Sequence, residues 1–368
     1  MKFTIDREAL LKPLQALIGV VEKKQAMPIL SNVLIKIEGQ NMQITATDLE
    51  LELLAKIELT APAEAGSLTL PARKLFDICR NLPDNATIDL NAASHEKVTI
   101  KSGKSRFSLM GLPAQDFPTM ESQLGQIMVD VPQKTLAQLI RKTQFAMAQQ
   151  DVRYFLNGLL LEVSEKMLRT VATDGHRLAL ASEAVQGNAG GVHQVIVPRK
   201  TILELQKILE LSDDPVSLVL GTHFIRIAMK DIIITSKLVD GRYPDYNRVI
   251  PSTGKNILIS NREGLKQALQ RTAILSNEKY RGVRLNVSNN VLKLMANNPE
   301  QEEAEDEIEV AYVGQDIEIG FNITYLMDVL NVLDCENVKI TFTNNVSSIL
   351  LHDPEDNRAI YVVMPIRL

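Results

Sequence analysis

The densest group of potentially catalytic side chains is an acidic segment near the end of the chain. Residues 300–309 read EQEEAEDEIE and carry seven carboxylates. A two-metal nuclease needs carboxylates that converge on one point, whereas consecutive side chains of an extended strand point to opposite faces. The pattern therefore predicts a solvated or partner-facing acidic edge, with a metal site as the alternative.

A second candidate is the run Asp174-Gly175-His176-Arg177, which combines an acid, a glycine and two bases. Neighbours in sequence seldom face one another, so the run favours a bend at Gly175 over a catalytic pair. The five histidines lack metal-ligand spacing, at His95, His176, His193, His223 and His352. Dinucleotide, P-loop, G-x-S-x-G, HExxH and C-x-x-C signatures are missing. The sequence predicts no catalytic residue, metal site or cofactor.

The elements that carry these residues recur three times. An amphipathic helix is predicted to begin near Asp6, Pro132 and Asn261, and Asn261 suits an N-cap. Each helix should have about 13–17 residues and a length of about 20–25 Å. In the second of these helices Leu139 and Ile140 fall on the predicted buried face.

A second helix follows later in each repeat. It is predicted to begin at Pro71, Pro198 and Asn322, with proline at the first helical position in two of the three cases. Between the two helices, strands flank a motif that reads Ala-Thr-Asp at 46–48 and 172–174 and Ala-Asn-Asn at 296–298. Alternating apolar residues also flank Asn289-Asn290, which predicts a hairpin turn.

Three independent markers with a period near 125 residues predict a repeated α+β fold. Each of three domains should contain two helices and antiparallel sheets. We predict the domains at 1–125, 126–253 and 254–368. Aromatic residues are 4% of the chain and tryptophan is missing, so the cores should consist of Leu, Ile and Val.

Composition restricts the class of protein. The chain has 368 residues and a net charge of −5, which argues against a coat of DNA-binding charge but allows a local basic patch. Cys79 and Cys335 are isolated, as in proteins of reducing compartments. The N-terminus does not read as a signal peptide, and no apolar run reaches 18 residues. These features predict a cytoplasmic protein without membrane partners.

Several long runs resemble the bacterial β sliding clamp family, the β subunits of DNA polymerase III. They include MKFTIDREALLKPLQ, TVATDGHRLA, SKLVDGRYPDYNRV and YVVMPIRL, and the match extends over the whole chain in order. The resemblance implies a head-to-tail homodimer that forms a ring around duplex DNA, with helices inside and sheets outside. It implies a processivity factor in DNA replication, an accessory subunit of a DNA-directed DNA polymerase (a nucleotidyltransferase), and not an enzyme.

The implied partners are duplex DNA of any sequence, the replicative polymerase α subunit, the clamp loader, and other polymerases and repair proteins that carry short linear motifs. DNA contacts are implied for Lys24, Arg73, Gln150, Arg153, Tyr154 and Phe155. Relatives often have Arg in place of Lys24 and Tyr in place of Phe155. The alternative for Phe155 is a packed core aromatic.

The resemblance also implies a peptide groove with an apolar floor and a rim of Arg and His that could hold carbonyls or acids. Its residues would be Leu156, Thr173, Gly175, His176, Arg177, Leu178, Pro244, Arg248, Val249, Tyr325, Val346, Ser348, Val362, Met364, Pro365 and Arg367. The alternative is that Val362 and Met364 are core positions of a last strand.

A dimer contact would join basic residues of the first domain to acidic residues of the third, as suits a heterologous interface. The implied residues are Lys74, Lys104, Arg106, Phe107, Ile274, Leu275, Glu300, Glu302, Glu303, Glu305 and Asp306. In the implied ring, basic residues on the helices should face phosphates, and the alternative is that they lie on ordinary solvated helix faces. These residues are Arg73, Lys74, Arg80, Arg141, Lys142, Arg199, Lys200, Lys207, Lys266 and Arg271.

Two other functions compete with this interpretation. A nuclease or another DNA enzyme would show metal-dependent turnover. A structural repeat protein that binds only peptides would form a monomer or an open array without a basic channel.

Overall fold

The computed structural model describes residues 1–22, 27–92, 97–120, 125, 127–185, 190–251 and 254–367. Within these ranges it has six α-helices, two in each predicted repeat: α1 (Arg7–Leu17), α2 (Ala72–Asn81), α3 (Gln133–Thr143), α4 (Arg199–Ile208), α5 (Arg262–Ala273) and α6 (Ile323–Val332). The predicted helix length of 13–17 residues is wrong, because these helices have 10–12 residues. After α3, for example, the chain tightens into a 3₁₀ turn at Gln144–Ala146.

Antiparallel strands make up most of the remainder. The first repeat contains β1 (Lys2–Asp6), β2 (Asn32–Glu38), β3 (Asn41–Thr47), β4 (Leu51–Glu58), β5 (Gly66–Pro71), β6 (Thr87–Ala92), β7 (Lys97–Ser102) and β8 (Ser105–Met110). The second contains β9 (Ile127–Pro132), β10 (Gly158–Val163), β11 (Met167–Thr173), β12 (Arg177–Ala184), β13 (His193–Pro198), β14 (Pro215–Leu220), β15 (Phe224–Ala228) and β16 (Ile232–Lys237). The third contains β17 (Asn256–Asn261), β18 (Gly282–Ser288), β19 (Val291–Asn297), β20 (Glu303–Glu309), β21 (Ala311–Val313), β22 (Ile317–Asn322), β23 (Asn337–Phe342), β24 (Ile349–His352) and β25 (Ala359–Val363).

The prolines before the helices occupy a different position from the one predicted. Pro71 and Pro198 are the last residues of β5 and β13, and the helix begins at the next residue. The fixed φ of proline suits this change from strand to helix. Before α5, Asn261 caps the helix as predicted, and its side-chain oxygen accepts from the Gly264 amide at 2.8 Å.

The described chain forms two compact units. One comprises residues 1–136 and 200–238, and the other residues 137–185, 190–199 and 239–367. The first unit has sheets of order β1-β6-β7-β8 and β5-β2-β3-β4-β16-β15-β14-β9. In the larger sheet β4, from the first repeat, pairs with β16, from the second, with Leu53 opposite Ile234.

The second unit has sheets of order β20-β19-β18-β22 and β13-β10-β11-β12-β25-β24-β23-β17-β21. Here β12, from the second repeat, pairs with β25, from the third. The hairpin predicted at Asn289-Asn290 joins β18 to β19, and both residues have positive φ, at 47° and 62°. In both units the core consists mainly of Leu, Ile and Val, as predicted, and Leu139 and Ile140 are buried.

Candidate functional site

Strand pairing brings two distant parts of the predicted groove together. Leu178 on β12 lies opposite Val362 on β25. Beyond the strand end, the Met364 amide donates a hydrogen bond to the carbonyl of His176 at 2.9 Å. The segments 176–178 and 362–364 therefore form one continuous surface.

The predicted floor residues differ in exposure. Leu156, Leu178 and Val362 are buried in one apolar cluster with Tyr243 and Tyr246. Met364 is 46% exposed, and Val249 and Val346 are also exposed. The alternative that both residues are core positions of the last strand thus holds for Val362 but not for Met364. Any ligand would contact the exposed residues above a packed floor.

The turn between β11 and β12 has the bend predicted at Gly175. The Thr173 hydroxyl donates to the carbonyl of Arg177 at 2.6 Å, and Gly175 has a φ of +87°. A Cβ at Gly175 would lie 2.9 Å from the guanidinium nitrogens of Arg153. The positive φ and the close approach of Arg153 both favour glycine at this position.

The Arg177 side chain, predicted to lie at the groove rim, is held by several contacts within the protein. The side chain is only 12% exposed and forms ion pairs with Asp174 and Asp328. It also donates to the carbonyl of Phe145 at 2.8 Å and lies 4.6 Å from the ring centroid of Tyr325. Arg177 therefore holds the turn in place, and it also lines a cavity beside His176 and Tyr325.

The rest of the predicted rim is more open. His176 is exposed and stacks on Tyr325 with 6.4 Å between ring centroids. Arg248 is exposed beside Asp245, at 3.0 Å. Pro244 and Arg367 are exposed, whereas Ser348 and Pro365 are half-buried. A cavity of about 390 Å³ lies beside His176 and Tyr325 and extends to Met147 and Asp151.

Four of the predicted DNA-contact residues lie in one short segment. Gln150, Arg153 and Tyr154 are exposed, whereas Phe155 is half-buried and packs against the apolar cluster. This packing favours the core alternative for Phe155. The hydrogen bond from Arg153 is the main cause that lowers the pKa of Asp151 to about 2, so the pair is ionised at neutral pH.

The other two predicted DNA contacts lie elsewhere in the sequence. Arg73 is exposed on α2, although one of its guanidinium nitrogens donates to the carbonyl of Val21 at 3.1 Å. Lys24 lies outside the described residues.

Many of the basic residues predicted to face phosphates are paired within the protein. Lys200 binds Glu22 and Asp48, and Arg141 binds Asp334. Further pairs join Lys207 to Glu204, Arg80 to Asp77 and Arg271 to Asp306. Internal pairing reduces the positive charge available to DNA, so weak direct binding is expected.

The predicted dimer residues lie on and near two edge strands. On or beside β8, Lys104 and Arg106 are exposed and Phe107 is half-buried, and Lys74 is exposed on α2. After α5, Ile274 is 76% exposed and Leu275 is half-buried. Glu300, Glu302, Glu303 and Glu305 are exposed. Asp306 already binds Arg271 at 2.6 Å, an intramolecular contact that the sequence did not indicate.

The acidic segment alternates along β20, as predicted for a strand. Glu303, Glu305, Glu307 and Glu309 are exposed, whereas the residues between them are half-buried. Among the described residues, no group of three or more His, Cys, Asp or Glu is arranged to hold a metal ion.

Comparison with known proteins identifies the family. Models of the N-terminal, central and C-terminal domains of the DNA polymerase III beta subunit match residues 1–121, 130–245 and 247–367, respectively. The chain belongs to the DNA polymerase III β-subunit family. The resemblance seen in the sequence and the fold of three clamp domains are therefore confirmed.

Full-length β-clamp relatives support the same family assignment. The beta sliding clamps of Pseudomonas aeruginosa and Escherichia coli K12 are 53% and 50% identical over 368 residues, with all of each chain covered. A crystal structure of the P. aeruginosa DNA polymerase III subunit beta has a TM-score of 0.97 and 53% identity over both full chains. A Bartonella birtlesii sliding clamp bound to griselimycin has a TM-score of 0.96 and 38% identity, again over both full chains.

Membership of a clamp family makes the chain a sliding clamp and not an enzyme, which confirms that prediction. None of the helices within the described residues has the length and apolar character of a membrane span.

Proposed function

We propose that two copies of this chain close head to tail into a ring around duplex DNA. The ring gives processivity to the replicative polymerase, and its groove recruits the polymerase α subunit, the clamp loader, other polymerases and repair proteins. It acts in the cytoplasm without a cofactor and does not read DNA sequence. Its domains meet near residues 125 and 253.

The unpartnered edges of β8 and β20 carry this proposal. By repeat spacing, β4, β12 and β20 are equivalent strands that begin at residues 51, 177 and 303. Likewise β8, β16 and β25 begin at residues 105, 232 and 359. Pairing of β4 with β16 and of β12 with β25 joins successive repeats. Among the described strands, β20 and β8 lack the equivalent partner and end their sheets.

Pairing of β20 with β8 of a second copy completes the series. The registers of the two existing joins place Ile232 opposite Ala55 and Ala359 opposite Ala181. When the same register is applied to β8 of one copy and β20 of the other, Arg106 lies opposite Asp306 and Ser108 lies opposite Ala304. Two such contacts satisfy both exposed edges and close the assembly, since each copy offers one edge of each kind.

The groove is proposed to bind short linear peptides. Exposed Met364, Val249 and Val346 offer adaptable apolar contacts over the packed floor. A peptide with Gln followed by two or three bulky apolar residues, the type implied by the family resemblance, would place its polar group at the rim and its apolar side chains between these residues.

A disulfide placed in the proposed register tests the ring. Ser108→Cys combined with Ala304→Cys should give a covalent dimer on mild oxidation, because directly opposed antiparallel residues have Cα atoms about 4.5–5.5 Å apart, which suits a disulfide. Non-reducing electrophoresis and mass measurement should show dimers without higher species.

The matched control moves one cysteine along the strand. Ser108→Cys with Glu307→Cys should cross-link poorly, and each single variant should not cross-link. A ladder of larger oligomers would indicate an open array, and equal cross-linking of both pairs would contradict the register.

A further inference from the structure

A row of three polar side chains crosses the sheet under the chain segment that leads into the third repeat. Cross-strand pairing places Glu162 of β10 between Gln194 of β13 and Arg169 of β11. Arg169 Nη1 donates to Glu162 Oε1 at 3.1 Å, and Gln194 Nε2 donates to Glu162 Oε2 at 2.7 Å. Because Glu162 is buried, its carboxylate oxygens depend on these donors for hydrogen-bond partners.

Tyr246 adds the third partner from outside the sheet. Its hydroxyl accepts from Arg169 Nη1 at 2.9 Å and donates to Glu162 Oε2 at 3.1 Å. Tyr246 is only 5% exposed, and burial raises the pKa of its hydroxyl. The hydroxyl therefore keeps the proton that it donates to Glu162.

The same residue joins this polar row to the groove. The Tyr246 ring packs in the apolar cluster with Leu156, Leu178 and Val362. Tyr246 also begins the 3₁₀ turn Tyr246–Val249, which carries the exposed groove residue Val249. The position of this turn relative to the floor thus depends on where the Tyr246 side chain is held.

The first repeat offers an independent comparison. Met120 precedes Tyr246 by 126 residues, one repeat, and its amide donates to the carboxylate of Glu52 at 2.9 Å. Burial is the main cause that raises the pKa of Glu52. Both connecting segments are therefore held by a carboxylate, half-buried at Glu52 and buried at Glu162. Only the second segment uses a side-chain hydroxyl next to a groove.

We propose that the Gln194–Glu162–Arg169–Tyr246 network, here called the clasp, positions the 244–249 wall of the groove for peptide recognition. The clasp rests on the proposed function of the groove. Tyr246 acts as a positioning residue, because it is too buried to contact a peptide itself. Without its hydroxyl, Glu162 and Arg169 each lose a buried partner, and the wall is released to sample other positions.

Tyr246→Phe tests the clasp with minimal change in shape. In calorimetric titration of the full dimer with a peptide containing Gln and bulky apolar residues, we expect about tenfold weaker binding. Val249→Ala should weaken binding in the wild-type background but have much less effect in the Tyr246→Phe background, since the wall is already displaced. Tyr312→Phe, which removes a hydroxyl bound to the Gln315 carbonyl, should bind like wild type.

Hydrogen exchange of the amides in residues 245–249 gives a readout that does not depend on the peptide. Tyr246→Phe should accelerate it, whereas Tyr312→Phe should not. Unchanged exchange would overturn the clasp, whatever the peptide does. Faster exchange in a Tyr246→Phe variant that binds the peptide with wild-type affinity would also overturn it. So would a double variant whose loss of affinity equals the product of the losses from Tyr246→Phe and Val249→Ala. If wild type does not bind the peptide but exchange still accelerates, the groove assignment fails and the clasp remains as an anchor of the wall.

Discussion

Replacing Ile274 with Ala and Leu275 with Lys in one variant should convert the dimer into monomers. Ile274 is 76% exposed in the single chain, an unusual state for a large aliphatic residue unless a partner covers it. Removing an apolar anchor from the centre of an interface costs about 2 kcal/mol or more of binding free energy. This loss raises the Kd about thirtyfold. The double variant loses two anchors and would bury a charge at one of them, so the affinity of the dimer should fall roughly thousandfold.

Sedimentation velocity at micromolar concentration measures this change directly. Leu211→Lys is the matched control, since Leu211 is 80% exposed but lies outside the proposed interface, and that variant should stay dimeric. Chemical denaturation should show that the double variant is folded. A double variant that remains a dimer would mean that Ile274 and Leu275 are not the interface centre.

Met364→Ala should weaken peptide binding at least tenfold without affecting the dimer. The Met364 side chain is exposed while its amide is fixed to the His176 carbonyl, so the substitution removes an apolar contact and leaves the backbone in place. A loss of about 2 kcal/mol is typical of such an anchor. Deletion of residues 364–368 should have at least this effect, because it also removes the bond from the Ile366 amide to the Gly320 carbonyl.

Calorimetric titration with one peptide compares the variants. Met128→Ala is the matched control, since Met128, like Met364, is an exposed methionine, and it lies on β9 in the other compact unit. It should bind the peptide like wild type. If Met364→Ala and the deletion both bind as tightly as wild type, the recruitment site lies somewhere other than this groove.

The sequence predicted the repeat and the fold because both depend on local patterns. Apolar alternation and turn residues such as Asn289-Asn290 act within a few residues, so they can be read directly. The same holds for the cap at Asn261. Helix ends were less accurate, because a 3₁₀ turn after α3 uses the same residue types as an α-helical turn.

Features that depend on tertiary pairing could not be predicted in this way. Arg177 binds Asp328, which is 151 residues away, and Arg141 binds Asp334, which is 193 residues away. A single sequence does not show which acid a base will meet, so residues expected to face ligands proved to be paired internally. Likewise, alternation defines strands but not their neighbours, so the joins from β4 to β16 and from β12 to β25 required the structure.

The most direct test of the ring is topological. Dissociated subunits of the Ser108→Cys, Ala304→Cys variant should be mixed with nicked circular duplex, oxidised and washed in high salt. We expect the covalent dimer to stay with the circle and to be lost when one restriction cut makes it linear, because phosphate contacts alone weaken steeply with salt. Covalent dimers that remain on linear duplex at high salt, or that never become linked to the circle, would contradict a clamp that holds DNA by enclosing it.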